Sequence, residues 1–240
     1  MRLTFIGTSH GLPEANRKCS CTLITVGENN YFIDMGAQAM EDLKTMGIEP
    51  DSVKGIFFTH KHGDHTDGIV NFYDLATWYY RNCNPVIQFS SPEFINALNV
   101  WREACGESPR EGITMETVKD GVTYDDGVLK VTAVPTKHTS DSHAFLVEAE
   151  GKKVLFTGDL AHPNEDFPAI AYEKEIDCII VEGAHFSILD YLPHLEKCNY
   201  KRLFLNHYPA FGNMENIKKV RDAVAPVPFK LATDGLMVEI

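Results

Sequence analysis

Between Phe58 and Thr66 the chain places three histidines and an aspartate in six consecutive positions, His60-Lys-His62-Gly-Asp64-His65. They follow Gly55-Ile56-Phe57-Phe58, an apolar run that reads as a short buried strand. Side chains alternate along an extended backbone, so His60 and His62 point the same way, while Asp64 and His65 fall on the turn beyond and can face a second centre. The whole chain has 10 histidines among 240 residues, too few for three in one such window to read as the composition of a solvated loop. Neutral imidazole and carboxylate are ligands that Zn²⁺ and its neighbours prefer, so the stretch reads as part of a metal site. A fold that carries it has to bring further ligands to the same place.

The rest of the chain supplies strand ends that can do this. Arg2 to Ile6 reads as a strand ended at Gly7, and residues 11–20 as a polar loop. Cys21 to Val26 and Tyr31 to Asp34 form a hairpin around Gly27-Glu-Asn-Asn30. Helical spacing predicts helices from about Ala37 to Met46 and through Ile69, Phe72, Tyr73, Ala76 and Tyr80. A third helix starts at Ser91-Pro92 and carries Phe94, Ala97, Leu98 and Trp101 on one face. Residues 106–127 read as a loop-rich connector. Strands follow at Val128–Val134, Ala144–Glu148 and Lys153–Thr157, the last two joined at Glu150-Gly151. Strand Cys178–Val181, helix Leu189–Lys197, strand Leu203–Leu205, helix Met214–Val224 and strands near Phe229 and Met237 close the chain. No repeat, linker or low-complexity segment interrupts this, so layered sheets with helices outside, in one domain over residues 1–240, are expected.

Charge and cysteines narrow the class. A formal charge of −12 argues against a general nucleic-acid surface, which needs clustered Lys and Arg. The six cysteines contain no C-x-x-C, which suits reduced thiols in a cytoplasmic protein. The N-terminus has no signal-peptide core, and no apolar stretch reaches the roughly 18 residues of a membrane span.

Three single residues complete the pattern. His138 follows the strand ending at Val134, Asp159 follows Val154-Leu-Phe-Thr-Gly, and His207 follows Leu203-Phe-Leu-Asn. In each case an apolar strand runs into one ligand-type side chain. The ordered set His60-Lys-His62-Gly-Asp64-His65, His138, Asp159 and His207, with Phe32-Ile-Asp34-Met-Gly36 upstream, resembles the metallo-β-lactamase superfamily of metallohydrolases. Ile6-Gly-Thr-Ser-His-Gly-Leu-Pro13 with Arg17 and Ser20, and the closing Ala232-Thr-Asp234-Gly-Leu-Met-Val-Glu-Ile240, are similar to its branch of ribonuclease Z and cyclic phosphodiesterases. The resemblance implies an α/β fold, a four-layer αββα sandwich with a dinuclear site at the edge between its two sheets.

The resemblance also implies the site. His60, His62 and His138 would hold one divalent ion, Asp64, His65 and His207 the other, and Asp159 would bridge them. The ions expected are zinc, with manganese as an alternative and iron not excluded by the ligand types. Asp34 would orient a ligand histidine, because ligating imidazoles usually donate their other N–H to a carboxylate or carbonyl. Asp64 and His185 are the candidate catalytic residues. His185 stands 22 positions before His207 and is placed to protonate the leaving alkoxide. Two close ions lower the pKa of a bridging water and offset charge on a phosphoryl or acyl oxygen. His10 is a candidate substrate contact, with a solvated loop histidine as the competing reading. His143, His162 and His194 are expected to take no part, and Cys19 and Cys21 are expected to hold no third metal. Trp78, Tyr79 and Tyr80 read as core or as a pocket wall.

Two departures qualify the resemblance. Ribonuclease Z carries a long basic arm between the histidine matched by His138 and the bridging aspartate, whereas here only 21 positions separate His138 from Asp159. Position 145 is Phe where the branch commonly has Tyr. The expected reaction is hydrolysis of small or cyclic phosphodiesters, with lactone or other ester hydrolysis as the alternative. Transfer-RNA processing and a non-hydrolytic metal-binding sensor are the remaining ones. The expected partner is a small-molecule substrate rather than a large RNA or a membrane, and a homodimer is left open beside the monomer.

Overall fold

A computed structural model describes residues 1–12, 14–107, 110–211 and 214–240. Pro13 of the second motif and positions 108 and 109 of the connector lie outside the described residues.

The first half of the chain supplies β1 (Arg2–Gly7), β2 (Cys21–Val26), β3 (Asn29–Met35), β4 (Val53–Phe57), β5 (Val86–Phe89) and β6 (Thr114–Thr117). The second supplies β7 (Gly121–Asp125), β8 (Lys130–Pro135), β9 (His143–Ala149), β10 (Lys152–Phe156), β11 (Glu175–Ile176), β12 (Cys178–Glu182), β13 (Asn199–Tyr200), β14 (Leu203–Asn206), β15 (Phe229–Leu231) and β16 (Leu236–Glu239). Two seven-stranded sheets result, one ordered β16-β1-β2-β3-β4-β5-β6 and the other β15-β14-β12-β10-β9-β8-β7. β3 to β6 run parallel to one another, as do β10, β12, β14 and β15.

Alternation within single strands builds the layers. In β3, Tyr31 and Ile33 enter a core shared by both sheets, whereas Phe32 and Met35 face a second core on the other side. In β9, Phe145 and Val147 meet that shared core, and Leu146 faces a third. The helices cover the two outer cores. α1 (Ala39–Thr45), α2 (Gly63–Thr66), α3 (Gly68–Trp78) and α4 (Pro92–Ala104) belong to the first half. α5 (Pro163–Asp166), α6 (Ile170–Glu173), α7 (Leu192–Leu195) and α8 (Met214–Ala223) belong to the second. Strands buried on both faces and helices outside give the order helix, sheet, sheet, helix.

Several elements differ from their expected form. The 106–127 connector contains β6 and β7, which extend one edge of each sheet; their half-exposed side chains leave little hydrophobic alternation to read. The helix expected over 189–197 is a 3₁₀ turn, Ile188–Tyr191, followed by the four-residue α7, because Pro193 at the second position starts a new turn. α4 buries Leu98 and Arg102, an i, i+4 pair, while Ala97 and Trp101 are exposed. The Arg102 guanidinium lies 4.0 Å over the Tyr73 ring and pairs with Glu107, which is what makes its burial tolerable. The β9–β10 turn, Glu150-Gly151, has φ of 52° and 71°, a pair of left-handed residues that matches the twist of a hairpin. Among the described residues no helix is long and apolar enough to cross a membrane.

Candidate metal centre

The C-terminal ends of β3, β4, β8, β10, β12 and β14 converge at one edge of the sandwich, and each delivers a polar side chain there. Parallel strands bring like ends together, so the chain gathers residues far apart in sequence without long loops. The loop after β4 carries His60 and His62 into α2, where Asp64 and His65 occupy the first turn. Gly36 makes this approach feasible: a Cβ there would stand 1.8 Å from the Asp64 carbonyl oxygen. Gly158, at φ 60°, turns the backbone so that Asp159 enters the site. Asp34 and His207 end their strands at φ 58° and 48°, a conformation uncommon outside glycine and, among the described non-glycine residues, shared only with Glu150 in its turn.

The side chains then meet closely. His62 Nδ1 lies 3.1 Å from both His60 Nε2 and His138 Nε2. Asp159 Oδ2 lies 3.4 Å from His65 Nε2, 3.4 Å from His207 Nε2, 3.6 Å from His60 Nε2 and 3.7 Å from His138 Nε2. Asp64 Oδ2 stands 3.6 Å from both His65 Nε2 and His207 Nε2. The approaches to Asp159 and Asp64 exceed ordinary N–H···O distances. They match what two ligand atoms show when each sits about 2.1 Å from a shared tetrahedral ion, namely a separation of about 3.4 Å. His65 Nε2 and Asp159 Oδ1 are buried with no hydrogen-bond partner, a costly arrangement unless something else satisfies them. Three-residue groups able to hold an ion include His60 with His62 and His138, Asp64 with His65 and His207, and His60 with His65 and Asp159.

The electrostatics suit a cation. Burial pushes the His60 and His138 imidazoles down from their usual range and His207 down to about 4, which keeps them in the neutral form that coordinates. Burial would also raise Asp159, but the surrounding imidazoles, His65 first, hold it well below the usual carboxylate range. His65 moves the other way: burial lowers it, and Asp159 and Asp34 outweigh that and raise it. The donor set therefore fits a pair of divalent ions, and Asp34 Oδ2 meets the remaining His65 nitrogen, Nδ1, at 2.8 Å.

His185 enters from the end of β12. Its Nδ1 lies 2.8 Å from Glu182 Oε2 and 3.8 Å from Asp159 Oδ2, and its ring stacks on His207 with 6.1 Å between centroids. The Glu182 hydrogen bond raises the His185 pKa. Glu182 is buried and also accepts from Leu160 N and Ala184 N. It was not singled out by sequence reading; a carboxylate ending the apolar run Cys178–Val181, three positions before a histidine, was the available signal. Thr59 is a second such residue, its hydroxyl lying 3.1 Å from His60 Nδ1 and 2.9 Å from Asp34 Oδ2.

Other candidates lie outside the cluster. His10 Nε2 faces Glu14 at 3.5 Å. His143 Nε2 meets Asp120 at 3.1 Å, and His194 bonds Tyr172 and Asn164. Trp78 and Tyr79 are exposed and line neither the core nor the cluster. Phe145 is fully buried between the sheets, so a tyrosine hydroxyl at that position would enter the shared core. Arg17 stacks 4.2 Å over the Tyr208 ring and bonds Thr8, whose hydroxyl reaches Asp234 at 2.6 Å. The terminal motifs thus brace the loop after β1 rather than add ligands.

The family model described as "Anti-Pycsar protein Apyc1" matches residues 1–224. The chain belongs to that family. Among curated proteins, ribonuclease BN of Cronobacter sakazakii is 26% identical over 156 residues, 63% of this chain and 51% of that protein. Ribonuclease Z of Methanothermobacter thermautotrophicus is 26% identical over 162 residues, 67% of this chain and 52% of its own length. The chain thus spans about half the length of these relatives. Among solved structures, the metallo-beta-lactamase fold protein YhfI from Bacillus subtilis has a TM-score of 0.81 at 18% identity, with 99% of both chains covered. The short form of human tRNase Z follows at 0.77 and 18%, covering 100% of this chain and 99% of that one. The Apyc1-family chain therefore has the metallo-β-lactamase fold, with ribonuclease Z-like relatives.

Proposed function

We propose that this chain is a metal-dependent hydrolase of ester bonds, and that its substrates are small or cyclic phosphodiesters. One observation carries the reading: a single carboxylate oxygen, Asp159 Oδ2, stands 3.4 to 3.7 Å from four imidazole Nε2 atoms, a spacing that suits shared ions and not hydrogen bonds. His60, His62 and His138 would hold one divalent ion and Asp64, His65 and His207 the other, with Asp159 between them. Bound there, the ions supply the charge that ionises an attacking water and offsets negative charge growing on the phosphoryl oxygens.

The chain's own residues do the remaining work. Asp34 fixes the tilt and tautomer of His65 through the 2.8 Å contact to Nδ1. Glu182 holds His185 by its Nδ1 and favours its protonated form, leaving Nε2–H to donate to the leaving alkoxide. His185 is exposed enough to meet a substrate, unlike His60 and His65. We place the unit at residues 1–240, acting in the cytoplasm on a small molecule.

Bis-p-nitrophenyl phosphate, cyclic mononucleotides, a lactone panel and a precursor tRNA, each offered to zinc- or manganese-loaded protein, test this reading. Phosphodiester cleavage with little lactone turnover is expected; the reverse selectivity would overturn it. A second reading, transfer-RNA processing, is favoured by the ribonuclease Z names of the curated relatives. Against it stands the segment from His138 to Asp159, which is a plain β9–β10 hairpin in a chain of charge −12. Cleavage of the precursor at its 3′ trailer in preference to the small diesters would establish that second reading.

A further inference from the structure

The segment that follows His185 is anchored from outside the histidine cluster. Residues 186–190 form a tight turn in which Ser187 Oγ accepts from Leu189 N at 3.3 Å and Ser187 O from Asp190 N at 2.9 Å. Phe186 packs on the His162 ring with 5.5 Å between centroids and edge-on to the buried Tyr191 at 5.3 Å. Phe186 also borders a cavity with Leu205, Tyr208 and Ile217, which neither His162 nor Tyr191 lines. A void supplies no partner atoms, so the two ring contacts do more to hold Phe186 than close packing all round would require of them.

His162 is suited to this because its own ring is fixed. It stands three positions past Asp159 at the N-cap of α5, where its Nδ1 accepts from Asn164 N at 3.2 Å. A ring nitrogen that accepts carries no proton, so Nε2 bears the hydrogen and directs it at Asp190 Oδ2, 3.4 Å away. The His162 and Asp190 side chains are 32% and 37% exposed, so charge adds little beside the ring contact. One imidazole thus touches the segment after His185 at both ends, Phe186 and Asp190, from the loop that carries Asp159.

We propose that His162 is a positioning residue for the leaving-group acid, holding His185 in place through Phe186 and Asp190. The proposal rests on the hydrolase reading above. His162 touches neither the substrate nor the ions; it fixes the distance between the loop after β10 and the loop after β12. His185 Nε2–H can then give its proton to the departing oxygen as the P–O bond breaks.

Two aryl diesters separate this role from a general loss of structure. Release of the more basic phenolate from diphenyl phosphate leans more on the His185 proton than release of p-nitrophenolate from bis-p-nitrophenyl phosphate does. His162→Asn keeps an N-cap acceptor for α5 and removes the ring. It should lower kcat on bis-p-nitrophenyl phosphate roughly ten-fold, as a small misplacement of a catalytic group does, and on diphenyl phosphate further, with KM and metal content unchanged. In a His185→Ala background the same substitution should cost nothing more, because both changes act on one group. Hydrogen exchange of the 186–190 amides reads the anchor without turnover and should quicken in His162→Asn. Equal losses on the two diesters, a loss that persists without His185, lost metal, or unchanged exchange would each overturn the role. If the metal-loaded parent cleaves neither diester, the hydrolase reading fails and the role with it; if the parent cleaves them and His162→Asn matches it on both, the role alone fails.

Discussion

Asp34 Oδ2 lies 2.8 Å from His65 Nδ1, on the side of the ring away from Asp159. The other Asp34 oxygen accepts from Thr59 N at 2.8 Å, so the carboxylate ties the end of β3 to the loop after β4 and to α2 at once. Replacing it by Asn keeps the shape and removes the charge that orients His65. Metal affinity in Asp34→Asn should fall about 10- to 100-fold, as read by competition with a chromophoric chelator. Unchanged affinity would mean that packing alone holds His65.

His185 separates chemistry from metal binding. His185→Ala should lower kcat on an activated diester about 10²- to 10⁴-fold while two equivalents of metal remain by elemental analysis. Loss of metal together with activity would instead make His185 a ligand, consistent with its 3.8 Å approach to Asp159. Glu182 tunes the same group. Its hydrogen bond raises the His185 pKa, so turnover that needs protonated His185 falls as pH rises through that value. In Glu182→Gln the pKa drops, and the alkaline limb of the kcat profile should move to lower pH.

The legible part of this molecule is the part where chemistry and strand pattern coincide in sequence. His60 to His65 cluster within six positions, and His138, Asp159 and His207 each end an apolar run, so both the fold and the meeting point follow from them. Glu182 is less visible because a lone glutamate after Val181 looks like any strand-end charge until the turn brings His185 back to it. β6 and β7 were hidden for another reason: they are edge strands with exposed, mixed side chains, and pairing with β5 and β8 stabilises them more than their own pattern does. The inward turn of Arg102 in α4 depends on Tyr73, a partner 29 positions away that helical periodicity does not report.

Asp126 links the two sheets at the end remote from the cluster. It accepts from Tyr31 Oη of β3 at 2.7 Å, from Tyr124 Oη at 3.0 Å and from Leu129 N at 2.8 Å. Burial alone would raise its pKa; the backbone and tyrosine donors outweigh that and lower it. A depressed folded-state value gives stability that is present above the unfolded aspartate value of about 3.9 and is lost as pH falls through the folded value. Asp126→Ala should cost about 1–2 kcal/mol in urea unfolding at neutral pH, limited by the exposure of the carboxylate. The difference from the parent should shrink below pH ~4, and a difference independent of pH would assign the loss to packing.

Asp166 couples two arms of the cluster from outside it. Its Oδ2 accepts from Lys137 N at 2.7 Å and from Ala161 N at 3.0 Å, and its Oδ1 from His162 N at 3.2 Å. Lys137 precedes His138, and Ala161 and His162 follow Asp159, so one carboxylate holds the loops after β8 and β10 in register across the intervening β9. Asp166→Ala leaves three backbone donors to water and frees both loops, which should weaken metal binding about ten-fold. Asp166→Asn keeps one accepting oxygen and should fall between the two. The loop after β10 carries Asp159, which faces the ligands of both ions, whereas the loop after β8 carries His138 alone, so both ions should bind more weakly and the one held with His138 the more so. Stepwise zinc titration resolves this: unequal weakening of the two binding steps is expected, and equal weakening of both would show that the carboxylate acts on the sheet edge as a whole.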